Sequence, residues 1–530
     1  MNLEQTIPQI ITPACHKFRD KIAFSGLGQL LTYADLDRLS DAFAVYLQKH
    51  SGLRPGDRMA VQLPNLLQYP VILFGALKAG LVIVNTNPLY TPREMEHQFN
   101  DSGAKLWVVS TLTVAAAPEV IANSCIESVI VTAPMEMGPF LKPASPAPVA
   151  ADDYPAMGVP SITFSQALSL GINQIPEPVE IKPSDVAMLQ YTGGTTGVSK
   201  GAMLTHRNLV ANTLQVTEHC NAIFREGMEI TVCPLPLYHI YAFTVHCMAN
   251  LSKGSHNILI ANPRDIPALV NEIKPYKITG FVGLNTLFNA LLHSEEFRSV
   301  DLSSLRSTTS GGMALTSETA KAWKELTGIQ ISEGYGLTEA SPTVVSNPPE
   351  NIHPGTVGRP VPSTEVKTID GQGNDLPIGE IGELCLRGPQ VMLGYWQRPE
   401  ATAEILSEEG WLRTGDMAEI LPDGYVRIVD RKKDMIVVSG FNVYPNEVED
   451  IACQFPGVQE CAAIGVPDDV SGEAVKLYVV SKSGELDKDE LKKFMRGLLT
   501  GYKIPKQVEL IASLPKSNVG KVLRRELPRQ

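Results

Sequence analysis

Across most of the first 315 residues, short β-branched runs alternate with stretches whose apolar residues recur at helical spacing. That alternation restricts the chain to βαβ units, in which helices cover both faces of a parallel, doubly wound sheet. Segments 58–63, 81–85 and 106–110 read as strands, with 67–79 and 91–101 as the helices between them. Proline, alanine and glycine crowd residues 142–160, which read as a surface connector. The rhythm resumes over 185–315, with further strands at 258–261 and 278–282. Between 355 and 429 the texture changes to short strands broken by glycine and proline, such as 382–387 and 425–429, and predicts a small β-rich subdomain.

The charged stretch 430–434 reads as a linker. Beyond it, helix 446–454, strands 460–466 and 474–481, helix 488–499 and strand 507–511 form a self-contained α+β unit of about 100 residues. A chain of 530 residues is too long for one hydrophobic core, since single cores stop growing near about 250–300 residues. The expected architecture is therefore α/β, with a large N-terminal domain, 1–430, of two doubly wound sheets plus the β-rich subdomain. A C-terminal α+β domain, 431–530, follows.

Charge and composition narrow the function classes. The formal charge is −12, from 45 Lys and Arg against 57 Asp and Glu, and no basic block is present. This balance argues against nucleic acid as a ligand. The longest apolar run, 70–84, is interrupted by Gly75, Lys78 and Gly80 and falls short of the roughly 20 residues of a membrane span. Residues 1–13 lack the basic start and apolar core of a secretion signal, so a cytoplasmic protein is expected. The eight cysteines form no Cys-x-x-Cys pair and the ten histidines no zinc-type spacing, which fits reduced thiols without a catalytic role.

The most informative stretch is 191–201, Tyr-Thr-Gly-Gly-Thr-Thr-Gly-Val-Ser-Lys-Gly, directly after the apolar strand 185–190. Its glycines let backbone N–H groups face a concavity, while hydroxyls and Lys200 add donors and charge, a combination suited to polyphosphate. A flexible Gly/Thr surface turn is the alternative, and Lys200 is followed by Gly201 rather than by the Ser/Thr of a Walker A loop. Segments 310–315 and 334–339, Gly-Tyr-Gly-Leu-Thr-Glu, each place glycine after a predicted strand, 304–309 and 328–332. In the second, Tyr335 could lie along a base, Thr338 bond a phosphate and Glu339 hold Mg²⁺, or the segment is a tight turn with a solvated carboxylate.

Taken together, these stretches resemble a known family. The 191–201 loop, 334–339, 411–416 (Trp-Leu-Arg-Thr-Gly-Asp), 430–449 and 515–521 (Pro-Lys-Ser-Asn-Val-Gly-Lys) occur in the order of the AMP-forming adenylating enzymes. That superfamily comprises acyl-CoA synthetases, luciferases and peptide synthetase adenylation domains, and the resemblance spans essentially the whole chain. Segments 236–240, 439–447 and 499–505 look most like bacterial long-chain fatty acid CoA ligases.

The resemblance implies a fatty acid, ATP and CoA as substrates, with Mg²⁺. Acyl adenylate forms with release of pyrophosphate, and the acyl group then passes to the CoA thiol. It assigns Thr192, Gly193, Gly194, Thr195, Thr196, Gly197 and Lys200 to the phosphates. Adenine falls to Tyr335 with Gly311, Gly312 and Gly336, ribose to Asp416, and a further contact to ribose or phosphate to Arg431. Lys521, Glu339, Thr338 and His239 become the catalytic residues, with Mg²⁺ held by Glu339 and Thr195. CoA is assigned to Ser439, Gly440 and Phe441, and the pivot of a mobile C-terminal domain to Lys433.

His239, Gly312 and Gly336 would border the acyl pocket, where acetyl-activating relatives carry Trp in place of Gly336. Apolar stretches 240–248 and 281–292 either wall that tunnel or simply pack the core. A medium-chain or aryl acid CoA ligase is the alternative within the superfamily. Delivery to a carrier protein, light emission, and a nucleotide-responsive binding protein are the more distant ones. Relatives also suggest a homodimer and peripheral contact with the inner membrane, although no strongly basic amphipathic helix is visible.

Overall fold

The computed structural model describes residues 2–141, 154–192, 199–517 and 520–529. Among these, two large sheets dominate. One has seven strands in the order Ser161–Thr163, Ser128–Thr132, Ala104–Ser110, Arg58–Gln62, Val82–Asn85, Val186–Thr192 and Lys200–Thr205, parallel except for the last. The other has nine, with a parallel centre of Ile22–Gly26, His256–Leu259, Ile230–Cys233, Gly280–Gly283, Ser307–Ser310 and Ile331–Gly336.

The apolar run 70–84 explains itself in this frame. It forms the helix Gln68–Lys78, buried at nearly every position, and the wholly buried strand Val82–Asn85. Gly75 is there because helix Tyr33–His50 passes too close for a side chain: a Cβ would stand 2.8 Å from Phe43 and 2.9 Å from the Ser40 carbonyl. No helix among the described residues is long and apolar enough to cross a membrane.

The expected β-rich subdomain is an antiparallel four-stranded sheet, Glu365–Ile369, Gly382–Arg387, Leu412–Ile420 and Val426–Arg431. The C-terminal α+β unit has its own five-stranded sheet and its own apolar core, with Val448, Leu477 and Leu491 fully buried. Its hairpin of Val458–Asp468 and Gly472–Ser481 carries the helices Pro445–Cys453 and Lys488–Arg496.

One expectation needs correction. Residues 334–336 are not a turn after a strand ending at 332; they complete the strand Ile331–Gly336, paired antiparallel with Thr343–Ser346. Glycine tolerates that pairing at close range, and a Cβ on Gly336 would lie 2.1 Å from the Pro342 carbonyl oxygen. The small residue therefore answers a backbone contact, and the vector of its missing side chain leads into Pro342, not into open acyl space.

Candidate active site

The site lies at the C-terminal edge of the nine-stranded sheet, where open α/β sheets bind ligands. Its floor is one sheet face, built from positions in register across four adjacent strands. Ser332 lies beside Thr309, Thr309 beside Val282, Ser307 beside Gly280, and Gly280 beside Thr231, all lining one cavity of about 150 Å³. Side chains this small leave a slot that crosses three strand spacings of about 4.8 Å, about 14 Å in all.

The facing wall is the helical segment 240–250, which presents Tyr241, Val245 and Ala249 to the cavity. It widens into π-type turns over Phe243–Asn250, a feature frequent at functional sites. At the far end sits Glu229, whose carboxylate is held by Arg225 at 2.8 Å and Arg306 at 2.7 Å.

At the near end the sheet hands over to Gly311 and Gly312. Gly312 has φ +86°, a conformation that favours glycine, and the Lys521 side chain packs where its Cβ would point, at 3.6 Å. Lys521 and Ser517 are joined by mutual bonds, the Lys521 N–H donating to Ser517 Oγ at 3.1 Å and the Ser517 N–H to the Lys521 carbonyl at 2.7 Å. Thr286 of the N-terminal part donates to the Gly520 carbonyl, next to Lys521, at 3.3 Å. Burial, followed by the neighbouring Arg431, pushes the Lys521 ammonium down to about 8, against the pull of Asp416 and Glu339.

Beside it, Tyr335 donates its hydroxyl to Asp416 Oδ2 at 2.6 Å, and Arg431 Nε stands 3.6 Å from Oδ1. Asp416 and Arg431 are register partners in the four-stranded sheet, so residues 15 apart in sequence meet by pairing. Burial raises the Asp416 carboxyl, and Arg431 partly offsets this. The result is an aromatic face beside a carboxylate, an arrangement that receives a base and a vicinal diol.

His239 also lines the cavity with Lys521. Asn65 holds its approach, accepting from the Leu237 N–H at 2.8 Å and donating to the Leu235 carbonyl at 3.0 Å. The Tyr241 N–H donates to His239 Nδ1 at 3.3 Å, which places the ring proton on Nε2. Burial, with help from Lys521, pushes His239 down to about 3, so the imidazole is neutral.

Strands Val186–Thr192 and Lys200–Thr205 enter and leave the 191–201 loop as an antiparallel hairpin, with Thr192 opposite Lys200. Gly193, Gly194, Thr195, Thr196 and Gly197 lie outside the described residues. Ser199 closes the hairpin by donating to the Thr192 carbonyl at 2.6 Å. Lys200 stands 5.0 Å from the ring centre of Tyr395, whose hydroxyl donates to Glu339 Oε1 at 2.6 Å. Sequence reasoning missed Tyr395, and its one signal is the Gly-Tyr-Trp run at 394–396.

Among the described residues, no group of three or more His, Cys, Asp or Glu could hold a metal. Glu339 thus offers a single protein carboxylate, with Thr338 beside it on the cavity wall. This suits Mg²⁺, which keeps several waters and takes its remaining ligands from substrate phosphates.

The pivot and thiol-site candidates sit elsewhere. Lys433 is exposed between the strands Val426–Arg431 and Ile436–Val438. Ser439 and Gly440 form an exposed turn with φ +51° and +83°, and Phe441 stacks on Tyr502 with ring centres 4.9 Å apart. These three residues do not line the cavity that holds Lys521. Arg524, three residues past Lys521, pairs with Asp434 at 3.5 Å and Asp430 at 3.7 Å, on either side of Lys433, and with Glu449 at 2.8 Å.

The chain matches two family models, "AMP-binding enzyme" over residues 11–396 and "AMP-binding enzyme C-terminal domain" over 447–521. It is 51% identical to a long-chain-fatty-acid–CoA ligase of Salmonella typhimurium, across 99% of this chain and 94% of that protein. It is 47% identical to one of Haemophilus influenzae, with the same two coverages. A crystal structure of the anthranilate CoA ligase AuaEII with anthranoyl-AMP superposes with a TM-score of 0.88 at 26% identity, covering 99% of this chain and 96% of that one. Matched over both parts of its length by these models and about half identical to such ligases, the chain belongs to the AMP-binding enzyme family.

Proposed function

We propose that this protein is a long-chain fatty acid CoA ligase that works in two half reactions at one cleft. The observation that carries the reading is Lys521, set where the slot of small side chains meets the Tyr335–Asp416 pair. A carboxylate approaching the α-phosphate of ATP meets like charge, and an ammonium between the two anions stabilises the charge that develops at phosphorus. The carboxylate oxygen bonds to the α-phosphorus, pyrophosphate leaves, and acyl adenylate remains. Neutral His239 offers its Nε2–H to a carboxylate oxygen without adding a second cation beside Lys521.

Tyr335 receives the adenine face and Asp416 the ribose hydroxyls, with Arg431 alongside. Lys200 and the loop residues Thr192 to Gly197 cradle the phosphates. Glu339 and Thr195 would hold Mg²⁺, which would neutralise charge on the triphosphate. In the second half reaction the CoA sulfur attacks the acyl carbonyl carbon and AMP leaves, while the thiol proton passes to solvent. Lys521 blocks that approach as placed here, so domain 431–530 turns about Lys433 relative to 1–430. The turn brings Ser439, Gly440 and Phe441 to the vacated side.

The slot favours a chain over a ring because its floor is long and narrow, and each buried methylene contributes about 0.8 kcal/mol. A homodimer and transient contact with the inner membrane face belong to the same proposal. The test supplies ATP, Mg²⁺ and CoA with octanoate, palmitate or benzoate and measures AMP and acyl-CoA. Palmitate is expected to give the highest kcat/KM. Benzoate outperforming both acids would replace the reading with an aryl acid ligase.

A further inference from the structure

Tyr395 touches both charges that must meet the triphosphate. Its hydroxyl reaches Glu339 Oε1 at 2.6 Å, within the range of charge-assisted O–H···O⁻ bonds, while Lys200 lies over its ring at 5.0 Å.

The backbone around it is held on the strand that leaves the phosphate loop. Leu393 N–H donates to the Met203 carbonyl at 3.0 Å, Met203 N–H to the Gly394 carbonyl at 2.9 Å, and Trp396 N–H to the Gly201 carbonyl at 2.8 Å. Glu339 is fixed from the same side, its carbonyl accepting from Met392 N–H at 2.8 Å. Trp396 is pinned further by its indole N–H on the Asp101 carbonyl at 3.1 Å.

We infer that Tyr395 is a positioning residue that orients Glu339 for a divalent cation and keeps Lys200 from pairing with that carboxylate. A carboxylate offers about four acceptor sites, and the phenol occupies one and sets the plane, while Oε2 accepts no hydrogen bond among the described residues. Lys200 and Glu339 form no ion pair within 4.0 Å among the described residues; the aromatic ring lies against the ammonium and its hydroxyl against the carboxylate. Both charges thus stay available to a nucleotide. Mg²⁺ demands near-ideal octahedral geometry, so a carboxylate held in one orientation binds it better than a free rotor.

This inference rests on the metal role of Glu339 proposed above, and its test separates the two. Full-length enzyme is titrated with Mn²⁺ in the presence of the α,β-methylene analogue of ATP, with free Mn²⁺ read by electron paramagnetic resonance. Tyr395→Phe is expected to weaken Mn²⁺ binding about 10–100-fold, the usual loss for a partner that orients a metal ligand. Glu339→Gln should weaken it as well, and the double variant should bind no worse than Glu339→Gln alone, since Tyr395 acts through that carboxylate. Transfer of a preformed acyl adenylate to CoA, which releases no pyrophosphate, should be unchanged in Tyr395→Phe, and this also shows the variant is folded. Wild-type Mn²⁺ affinity in Tyr395→Phe alongside weakened Glu339→Gln overturns the positioning role. Wild-type affinity in Glu339→Gln overturns the metal role itself and the inference with it.

Discussion

Gly280 offers the sharpest test of the acyl slot. It opens the strand Gly280–Gly283, paired with Thr231 on one side and Ser307 on the other, and all three line the cavity floor. A Cβ at Gly280 would stand 3.0 Å from Thr231 Oγ1 and 3.5 Å from Ser307 Oγ, so it points along the same face as those side chains, into the slot. Gly280 is not at positive φ, so substitution does not strain the backbone. The Thr231 hydroxyl must give by a few tenths of an ångström. Leucine there adds three carbons beyond Cβ and displaces about three methylenes of substrate. At about 0.8 kcal/mol each this is about 2.4 kcal/mol, or about 60-fold in relative kcat/KM. The assay compares palmitate with octanoate in wild type, Gly280→Ala and Gly280→Leu. Alanine, whose Cβ stays level with the Thr231 and Ser307 hydroxyls, should shift the ratio little and leucine about 60-fold towards octanoate, with octanoate turnover largely retained. An unchanged palmitate-to-octanoate ratio in a folded leucine variant would refute the placement of the chain.

Three further outcomes follow from the geometry. With Lys521 depressed to about 8, the reactive ammonium is present below that pH and lost above it. Adenylation kcat/KM should therefore be flat below pH 8 and fall about tenfold per unit above it, and a profile flat to pH 10 would contradict the assignment. His239, at about 3, should add no acidic limb between pH 5 and 8. Asp450 of the C-terminal unit accepts from both Ser317 N–H and Oγ, each at 3.0 Å, across the two parts of the chain. Asp450→Ala should slow adenylation by a factor of about 5–150, the value of two bonds at about 0.5–1.5 kcal/mol each, and leave thioester formation from acyl adenylate untouched.

Strands that bury both faces were legible because β-branched runs have few other solutions. The 382–387 reading coincides with the strand Gly382–Arg387, and helix 488–499 differs only because the chain leaves the helix at Gly497. The strand Ile331–Gly336 was harder. Its glycines signal a turn locally, and only the long-range pairing with Thr343–Ser346 makes them strand. The same limit applies to the site. Motifs exposed Tyr335, Asp416 and Lys521, whereas Tyr395 lies 56 residues from Glu339 in sequence, and Asn65 lies 172 from Leu237. Such partners are set by how the two sheets and the 393–396 edge come together, which no local pattern encodes. Gly336 lines the cavity, but the direction of its missing side chain, towards the Pro342 carbonyl, is likewise set by strand pairing that no local pattern encodes.

The two half reactions of Lys521→Ala, measured separately, test the central claim most directly. Pyrophosphate release from ATP and palmitate should fall by several orders of magnitude, while transfer of synthetic palmitoyl adenylate to CoA should proceed at close to the wild-type rate. Pyrophosphate release that survives the substitution, or a loss shared equally by both steps, would contradict it.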